Sequence, residues 1–302
     1  MMDGLDWIAV DWGTSNLRAW LMAADGTILD KRSSDRGMNA LSRDGFEPAL
    51  LDLVGDAIGN GPVTVIVCGM AGSRQGWAEA PYRSVPSAPP QLSAATRALV
   101  HDPRLDVRIL PGLKQEQPAD VMRGEETQLR GIFLANPGFD GTICLPGTHT
   151  KWVQVSAREV VSFRTFMTGE LYALLSANSV LRHSIGEGWD GEAFSEAVSD
   201  AMSRPGSVAG HLFGLRAEGL LRGLDGARAA SRLSGLLIGL ELAGARPYWL
   251  GQPIILAGAS DLSRAYESAL SAQGAAVERL DSEAVTLAGL VAARADMKET
   301  AT

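Results

Sequence analysis

Cysteine is almost missing from this chain of 302 residues: Cys68 and Cys144 are the only two, and both sit inside apolar runs with no C-x-x-C spacing. A disulfide framework and a thiolate metal site are thereby excluded, and the pair reads as small core residues of a cytoplasmic protein. Lysine is scarce too, with four in the chain, at 31, 114, 151 and 298. With a formal net charge of −8, no basic cluster is available to pair with a nucleic-acid backbone. No uncharged apolar run reaches bilayer length, and Met1-Met2-Asp3-Gly4-Leu5-Asp6 has neither the basic nor the apolar region of a signal peptide, so no membrane partner is expected. The four histidines, at 101, 149, 183 and 211, have no metal-ligand spacing, and neither a G-K-[ST] loop nor a G-x-S-x-G elbow occurs. Gly186-Glu187-Gly188-Trp189-Asp190-Gly191 fits G-x-G-x-x-G but follows no strand, which rules it out as a dinucleotide fingerprint.

What is present begins with a hydrophobic content of 46%, enough for a sizeable core and two lobes. Ile8-Ala9-Val10-Asp11-Trp12 is a short apolar run ending on a carboxylate. It turns through Gly13-Thr14-Ser15-Asn16 and resumes as Leu17-Arg18-Ala19-Trp20, with the period-2 alternation of a β-hairpin. An Asp at the end of a buried strand needs a partner, and hydrated Mg²⁺ is the usual one. Small residues in the turn let backbone N–H groups approach phosphate oxygens. Taken alone, the hairpin also fits an edge hairpin with an Asx turn. A second turn of the same kind favours the phosphate reading. Gly141–Leu145 reads as a strand, Pro146-Gly147-Thr148-His149-Thr150 as a turn, and Lys151–Val155 as a strand. Two such hairpins suggest a duplicated fold with phosphates held between the halves.

Between them, Asp25-Gly26 turns into a third strand, Thr27–Arg32, followed by a helix over Phe46–Ile58 and a buried strand over Val63–Cys68. The loop Gly69-Met70-Ala71-Gly72-Ser73-Arg74-Gln75-Gly76-Trp77 could close over an anion, or be an ordinary connection with a packed Trp. Tyr82–Pro90 reads as surface, Gln91–Val100 as a helix and Val107–Leu110 as a strand. Arg123-Gly124-Glu125-Glu126 opens a helix, where the helix dipole alone would favour the acidic pair. Val160–Phe166 is a strand, Thr168–Val180 a helix, and residues 190–245 almost wholly helical. Gly235 and Gly239 would let another element approach closely. A strand over Pro253–Ala257 then leads through Gly258-Ala259-Ser260-Asp261 to a helix over Ser263–Ala272, capped by Ser260 or Asp261. A last strand covers Ala276–Leu280 and a last helix Glu283–Ala293, with a frayed tail at 295–302.

This order is similar to the actin/hexokinase/sugar-kinase superfamily. The blocks Asp11–Trp20, Gly69–Ser73, Gly76-Trp77, Ala80-Pro81-Tyr82, Met122–Leu129, Pro146–His149, Lys151-Trp152-Val153 and Met167–Leu171 resemble the 2-dehydro-3-deoxygalactonokinase family over nearly the whole chain. The resemblance implies an α/β fold of two ribonuclease-H-like lobes with an interlobe cleft. The lobes would be 1–138, joined by the C-terminal helix 283–302, and 139–282. It implies ATP-dependent phosphorylation of 2-dehydro-3-deoxy-D-galactonate at the 6-hydroxyl, with Mg²⁺ held by Asp11. A kinase for another sugar acid or ketose, or an actin- or chaperone-like ATPase switch, is the alternative. A homodimer is left open.

The family's first phosphate hairpin falls on Gly13, Thr14, Ser15, Asn16 and Arg18, its second on Gly147, Thr148, His149 and Lys151, and its adenosine segment on Gly258, Ala259 and Ser260. The usual catalytic Asp is replaced by Glu125 or Glu126, with Glu125 favoured because it directly follows Gly124. Substrate contacts would come from Arg74, Trp77, Arg123, Arg164, Thr168 and Glu170, the arginines supplying the fork a carboxylate needs.

Overall fold

The computed structural model describes residues 1–300, apart from the side chains of Ser260 and of residues 297–300. The chain forms two compact units. One comprises Met1–Phe139, Ser156–Ser162 and the chain from Ser282 onward; the other comprises Asp140–Val155 and Phe163–Asp281.

The first unit opens with β1 (Trp7–Trp12), β2 (Leu17–Met22), β3 (Ile28–Ser34) and α1 (Phe46–Val54). It continues with β4 (Val63–Gly69), β5 (Tyr82–Ser84), β6 (Thr96–Arg97), β7 (Leu105–Ile109), β8 (Gly112–Gln115), β9 (Asp120–Met122) and α2 (Glu125–Ala135). Its main sheet has the order β3-β2-β1-β4-β7-β6, with β1–β2–β3 an antiparallel meander and β1, β4 and β7 parallel. Period-2 alternation sends alternate residues of β1 to opposite faces. Ile8 and Val10 pack with Phe46 and Leu50 of α1, whereas Trp7 and Ala9 pack with Leu290 and Ala293 of the C-terminal helix.

The second unit contains β10 (Gly141–Leu145), β11 (Thr150–Ser156), β12 (Glu159–Phe166), α3 (Thr168–Asn178), α4 (Gly191–Ser203), α5 (Val208–Arg222) and α6 (Gly226–Gly244). After these come α7 (Arg246–Trp249), β13 (Ile254–Gly258), α8 (Ser260–Ser271) and β14 (Val277–Asp281); α9 (Ser282–Thr300) then returns to the first unit. The sheet order is β12-β11-β10-β13-β14, with β10, β13 and β14 parallel. A three-strand run in sequence order followed by two parallel strands thus occurs twice. Gly235 and Gly239 do allow close approach: a Cβ at either would lie 2.4 or 2.6 Å from the Phe194 or Val198 carbonyl of α4.

Several expected elements differ. No helix covers Gln91–Val100; a 3-10 turn at Leu92–Ala94 and the short β6 take its place. Leu92 and Ala98 are both buried but in different clusters on opposite faces of the sheet, which one helical stripe could not serve. The helix expected to reach Ile58 stops at Val54, with Gly55 as its C-terminal cap. β5 lies within the stretch read as surface. The helix expected from Ser263 starts at Ser260 with Ala259 as N-cap, and the Ala259 carbonyl accepts from Ser263 N at 2.8 Å. The N-cap residue Ala259 makes no side-chain cap, Asp261 pairs with Arg264, and the Ser260 side chain lies outside the described residues. α9 continues through 295 to Thr300, and residues 301–302 lie outside the described residues.

Candidate active site

In the first unit the chemistry gathers where β1 and β4 end. Register places Asp11 opposite Arg18 of β2 and Cys68 of β4. Arg18 Nη2 donates to Asp11 Oδ2 at 2.5 Å, and the Asp11 side chain keeps 14% exposure. Burial raises the Asp11 pKa, the Arg18 guanidinium opposes that rise, and the charge of Glu125 adds to it. Asp11 and Glu125 therefore lie within each other's field. Gly69 makes the convergence of elements feasible. Its φ is +91°, and a Cβ there would sit 2.5 Å from the Trp12 carbonyl and 3.5 Å from Asp11 Oδ1. Gly124, at φ +104°, brings the start of α2 against Gly69, its hypothetical Cβ 3.2 Å from the Gly69 Cα.

The adjacent glutamates diverge sharply. Glu126 is 1% exposed, and its Oε2 accepts from the Gly124 N–H at 2.7 Å. Burial, reinforced by the Glu125 charge, pushes its pKa up to about 8. Glu125 is half-buried, with Oε2 accepting from the Arg123 N–H at 3.0 Å. The thiol of Cys68, fully buried, is pushed well above its usual pKa by burial and then by the charges of Asp11 and Glu126. Cys144 is likewise buried and unpaired by any disulfide.

The turn Gly13–Asn16 is fastened from behind. Met38 N donates to the Gly13 carbonyl at 3.1 Å and Asn39 N to the Thr14 carbonyl at 3.0 Å. Thr14 is half-buried, while Ser15 and Asn16 are exposed. The glycine-rich loop is also tied down: Arg43 donates to the carbonyls of Gly76 and Arg74 at 3.2 and 2.6 Å. Trp77 anchors it. Its ring lies 5.9 Å from Trp12 and 6.2 Å from Phe46, and the residue is 7% exposed. Trp77, expected at the substrate, thus occupies the packed position that the sequence also allowed.

The three candidate arginines separate. Arg74 is 82% exposed, with Glu79 at 3.8 Å. Arg123 is buried, donates through Nη2 to the Ala80 carbonyl at 2.7 Å and lies 4.3 Å from the Tyr82 ring centroid. Arg164, on β12 of the second unit, is exposed.

In the second unit the turn Pro146–His149 is clasped by the start of α3. A Cβ on Gly169 would lie 2.3 Å from the Gly147 carbonyl, and Glu170 N donates to the Thr148 carbonyl at 2.9 Å. His149 Nε2 and Glu170 Oε2 are 2.6 Å apart. Thr168 and Glu170, expected at the sugar acid, therefore belong with this turn. Lys151, expected to face phosphate, is 4% exposed. Gly258 braces the turn, its hypothetical Cβ 3.1 Å from the Pro146 carbonyl. Ala259 is exposed and caps α8, and the Ser260 side chain lies outside the described residues.

A cavity of about 960 Å³ opens beside this turn, entirely within the second unit. Gly147, Thr148, Thr168 and Gly169 form one wall. Trp189, Phe194, Leu237 and Ile238 form an apolar wall, and Asp261, Leu262, Arg264 and Tyr266 of α8 a third. The sequence reading passed over Trp189 and Leu237. Trp189 belongs to the G-x-G-x-x-G run that is no dinucleotide fingerprint but leads into α4, with Asp190 accepting from Ala193 N at the cap. The available signal was a Trp between glycines at a helix start. Glu241, also overlooked, is 2% exposed beneath the cavity, where burial pushes its pKa up to about 7.

Among the described residues no group of three or more metal-ligating side chains occurs, and no helix is long and apolar enough to cross a membrane. A family model described as 2-keto-3-deoxy-galactonokinase matches residues 11–293. A curated protein of Rhizobium meliloti (strain 1021), named as a 2-dehydro-3-deoxygalactonokinase, is 40% identical over 292 residues, covering 94% of this chain and 95% of its own. The 2-dehydro-3-deoxygalactonokinase of Escherichia coli (strain K12) is 35% identical over 293 residues, covering 94% and 96%. A solved structure from Sinorhizobium meliloti carrying the same kinase name superposes with a TM-score of 0.90 at 39% identity, over 96% of each chain. The architecture is that of the actin/hexokinase-type ATPases.

Proposed function

The chain belongs to the 2-keto-3-deoxy-galactonokinase family, so it is a phosphotransferase acting with ATP on 2-dehydro-3-deoxygalactonate, and we propose which of its residues carry each part of that transfer. The acceptor is the 6-hydroxyl of the sugar acid, and Glu125 is the base that takes its proton as the phosphoryl group arrives. The observation that supports this role is the contrast between neighbours. Each accepts one backbone N–H, but Glu125 is half-buried and lies in the field of Asp11, whereas Glu126 is enclosed at 1% exposure. A base must reach the proton it removes, which supports the half-buried Glu125 over the enclosed Glu126.

Phosphoryl transfer asks mainly for positioning and for neutralised phosphate oxygens. The hydroxyls of Thr14, Ser15 and Thr148 and the amides of their turns serve the phosphates. The apolar wall with Trp189 takes the base and ribose, with the start of α3 beside the phosphate turn, where helix N–H groups favour anions. Arg74, exposed on the glycine-rich loop, meets the substrate carboxylate. Asp11 fits Mg²⁺: among the described residues its Oδ1 faces only a weak Cys68 Sγ contact at 3.8 Å. One or two carboxylates with retained waters suffice for that ion, so the lack of a larger acidic cluster is no obstacle. When bound, it would offset charge on the transferring phosphoryl oxygens.

The test is coupled ADP release across a panel of 2-keto-3-deoxy sugar acids and ketoses, with product position read by NMR. Turnover confined to the galactonate-derived acid, with phosphate on O6, is the expected result. Turnover on a ketose alone, or ATP hydrolysis independent of any sugar acid, overturns the reading.

A further inference from the structure

Glu241 stands in the last turn of α6, between apolar residues Leu240 and Leu242, and is buried where a carboxylate is costly. Among the described residues no cation pairs with it. Three neutral donors converge on it instead: Trp152 Nε1 at 2.8 Å on Oε1, and Tyr266 OH at 2.8 Å together with Thr168 Oγ1 on Oε2. The Thr150 hydroxyl joins the same network, 2.9 Å from Tyr266 OH.

The donors come from three elements, and each touches the phosphate turn or the cavity. Trp152 and Thr150 lie on β11, the strand that leaves the turn Pro146–His149. Thr168 is the first residue of α3, whose Gly169 packs on Gly147, and Tyr266 projects from α8. Thr168 and Tyr266 both line the cavity. A core that needed only stability would be served as well or better by an apolar side chain of similar volume.

We propose that Glu241 is a positioning residue for nucleotide binding: its carboxylate fixes β11, the start of α3 and α8 in one register, and so holds the turn Pro146–His149 in the geometry that grips phosphate. This rests on the reading that the cavity of the second unit takes the nucleotide. Glu241 itself touches no substrate. Its effect passes through the turn, where a displacement of about 1 Å is enough to cost on the order of 10²-fold in rate.

The experiment measures ADP binding by calorimetry, and KM for ATP and for the sugar acid, in wild type, Glu241→Gln, Thr168→Val, Thr168→Ser and the Glu241→Gln/Thr168→Val double variant. Gln keeps the shape but cannot accept three donors. The expected result is a roughly tenfold weaker ADP affinity and higher KM for ATP in Glu241→Gln, with KM for the sugar acid unchanged. Thr168→Val should move the same way, and Thr168→Ser, which restores the hydroxyl, should recover most of the affinity that Val loses. The double variant should be no worse than the poorer single one, because both break the same network. An ADP affinity within twofold of wild type in a folded Glu241→Gln overturns the proposal, as does an equal rise in both KM values. If Glu241→Gln does not fold, the Val-against-Ser contrast at 168 decides alone. A wild-type protein that turns over but binds ADP with no dependence on Trp189→Ala or Leu237→Ala overturns the pocket reading, and the proposal with it.

Discussion

Two glutamates one residue apart occupy different chemical worlds, and their substitutions should separate accordingly. Glu125→Gln is expected to lower kcat by roughly 10²-fold or more with little change in nucleotide affinity, because the amide keeps the shape and loses the proton acceptor. Steady-state and single-turnover kinetics check this; an unchanged chemical step would remove Glu125 as base. Glu126→Gln should act on stability, through pH. A carboxyl whose pKa is raised in the folded state binds its proton there at pH values where the unfolded chain has released it. Stability therefore falls as pH rises from the ordinary carboxylate range to about 8, where Glu126 titrates. Urea unfolding at pH 6 and pH 8.5 should show wild type losing on the order of 1–3 kcal/mol more than Glu126→Gln across that interval. Equal losses would mean that Glu126 is solvated in solution. Asp11→Asn should leave sugar-acid binding intact and abolish most Mg²⁺-dependent turnover, a neutral amide being a poor partner for the hydrated ion. Wild-type kcat in that variant would dismiss Asp11 as the metal group.

At the scale of elements, α2 owes its place to α9. A Cβ on Gly131 would sit 2.0 Å from the Val285 carbonyl, and one on Gly289 would sit 2.0 Å from the Thr127 carbonyl. The two helices touch backbone to backbone, and the acidic pair rides on one of them. Gly289→Ala should cost about 1–3 kcal/mol in unfolding free energy and lower kcat with it; a loss of stability with full activity would show that α2 can shift without disturbing Glu125. The hairpins were legible from sequence because Asp-x-Gly-Thr and Pro-Gly-Thr-His couple a strand end to turn chemistry within a few residues. The missing helix at Gln91–Val100 was not, since its apolar residues answer to the two faces of the sheet that β6 borders and to no local period. Trp189 and Glu241 escaped for the same reason: what makes them significant is three elements meeting in space. Glu126 looked like a helix-dipole charge, and only packing reveals it as enclosed.

At the scale of the whole molecule, one sheet plan is used twice, yet the two units are closed differently. The second is complete within residues 140–281, save the short segment Ser156–Ser162 that groups with the first. The first needs Leu290 and Ala293 of α9 against Trp7, Ala9, Trp20, Met22 and Ile66. A chain ending at Asp281 should therefore expose that apolar face and bind a hydrophobic dye, while limited proteolysis leaves a protected fragment covering the second unit. A soluble, dye-silent product with a protected first unit would show that α9 is dispensable. During synthesis the same wiring reverses the order in which the halves mature. The ribosome makes the amino-terminal sheet first, but its last wall, α9, begins about 170 residues after the sheet's final strand ends at Ile109, on the order of ten seconds or more of elongation. Until then the tryptophan-lined face of β1 and β2 is open to chaperones, and the half born second is the first that can close.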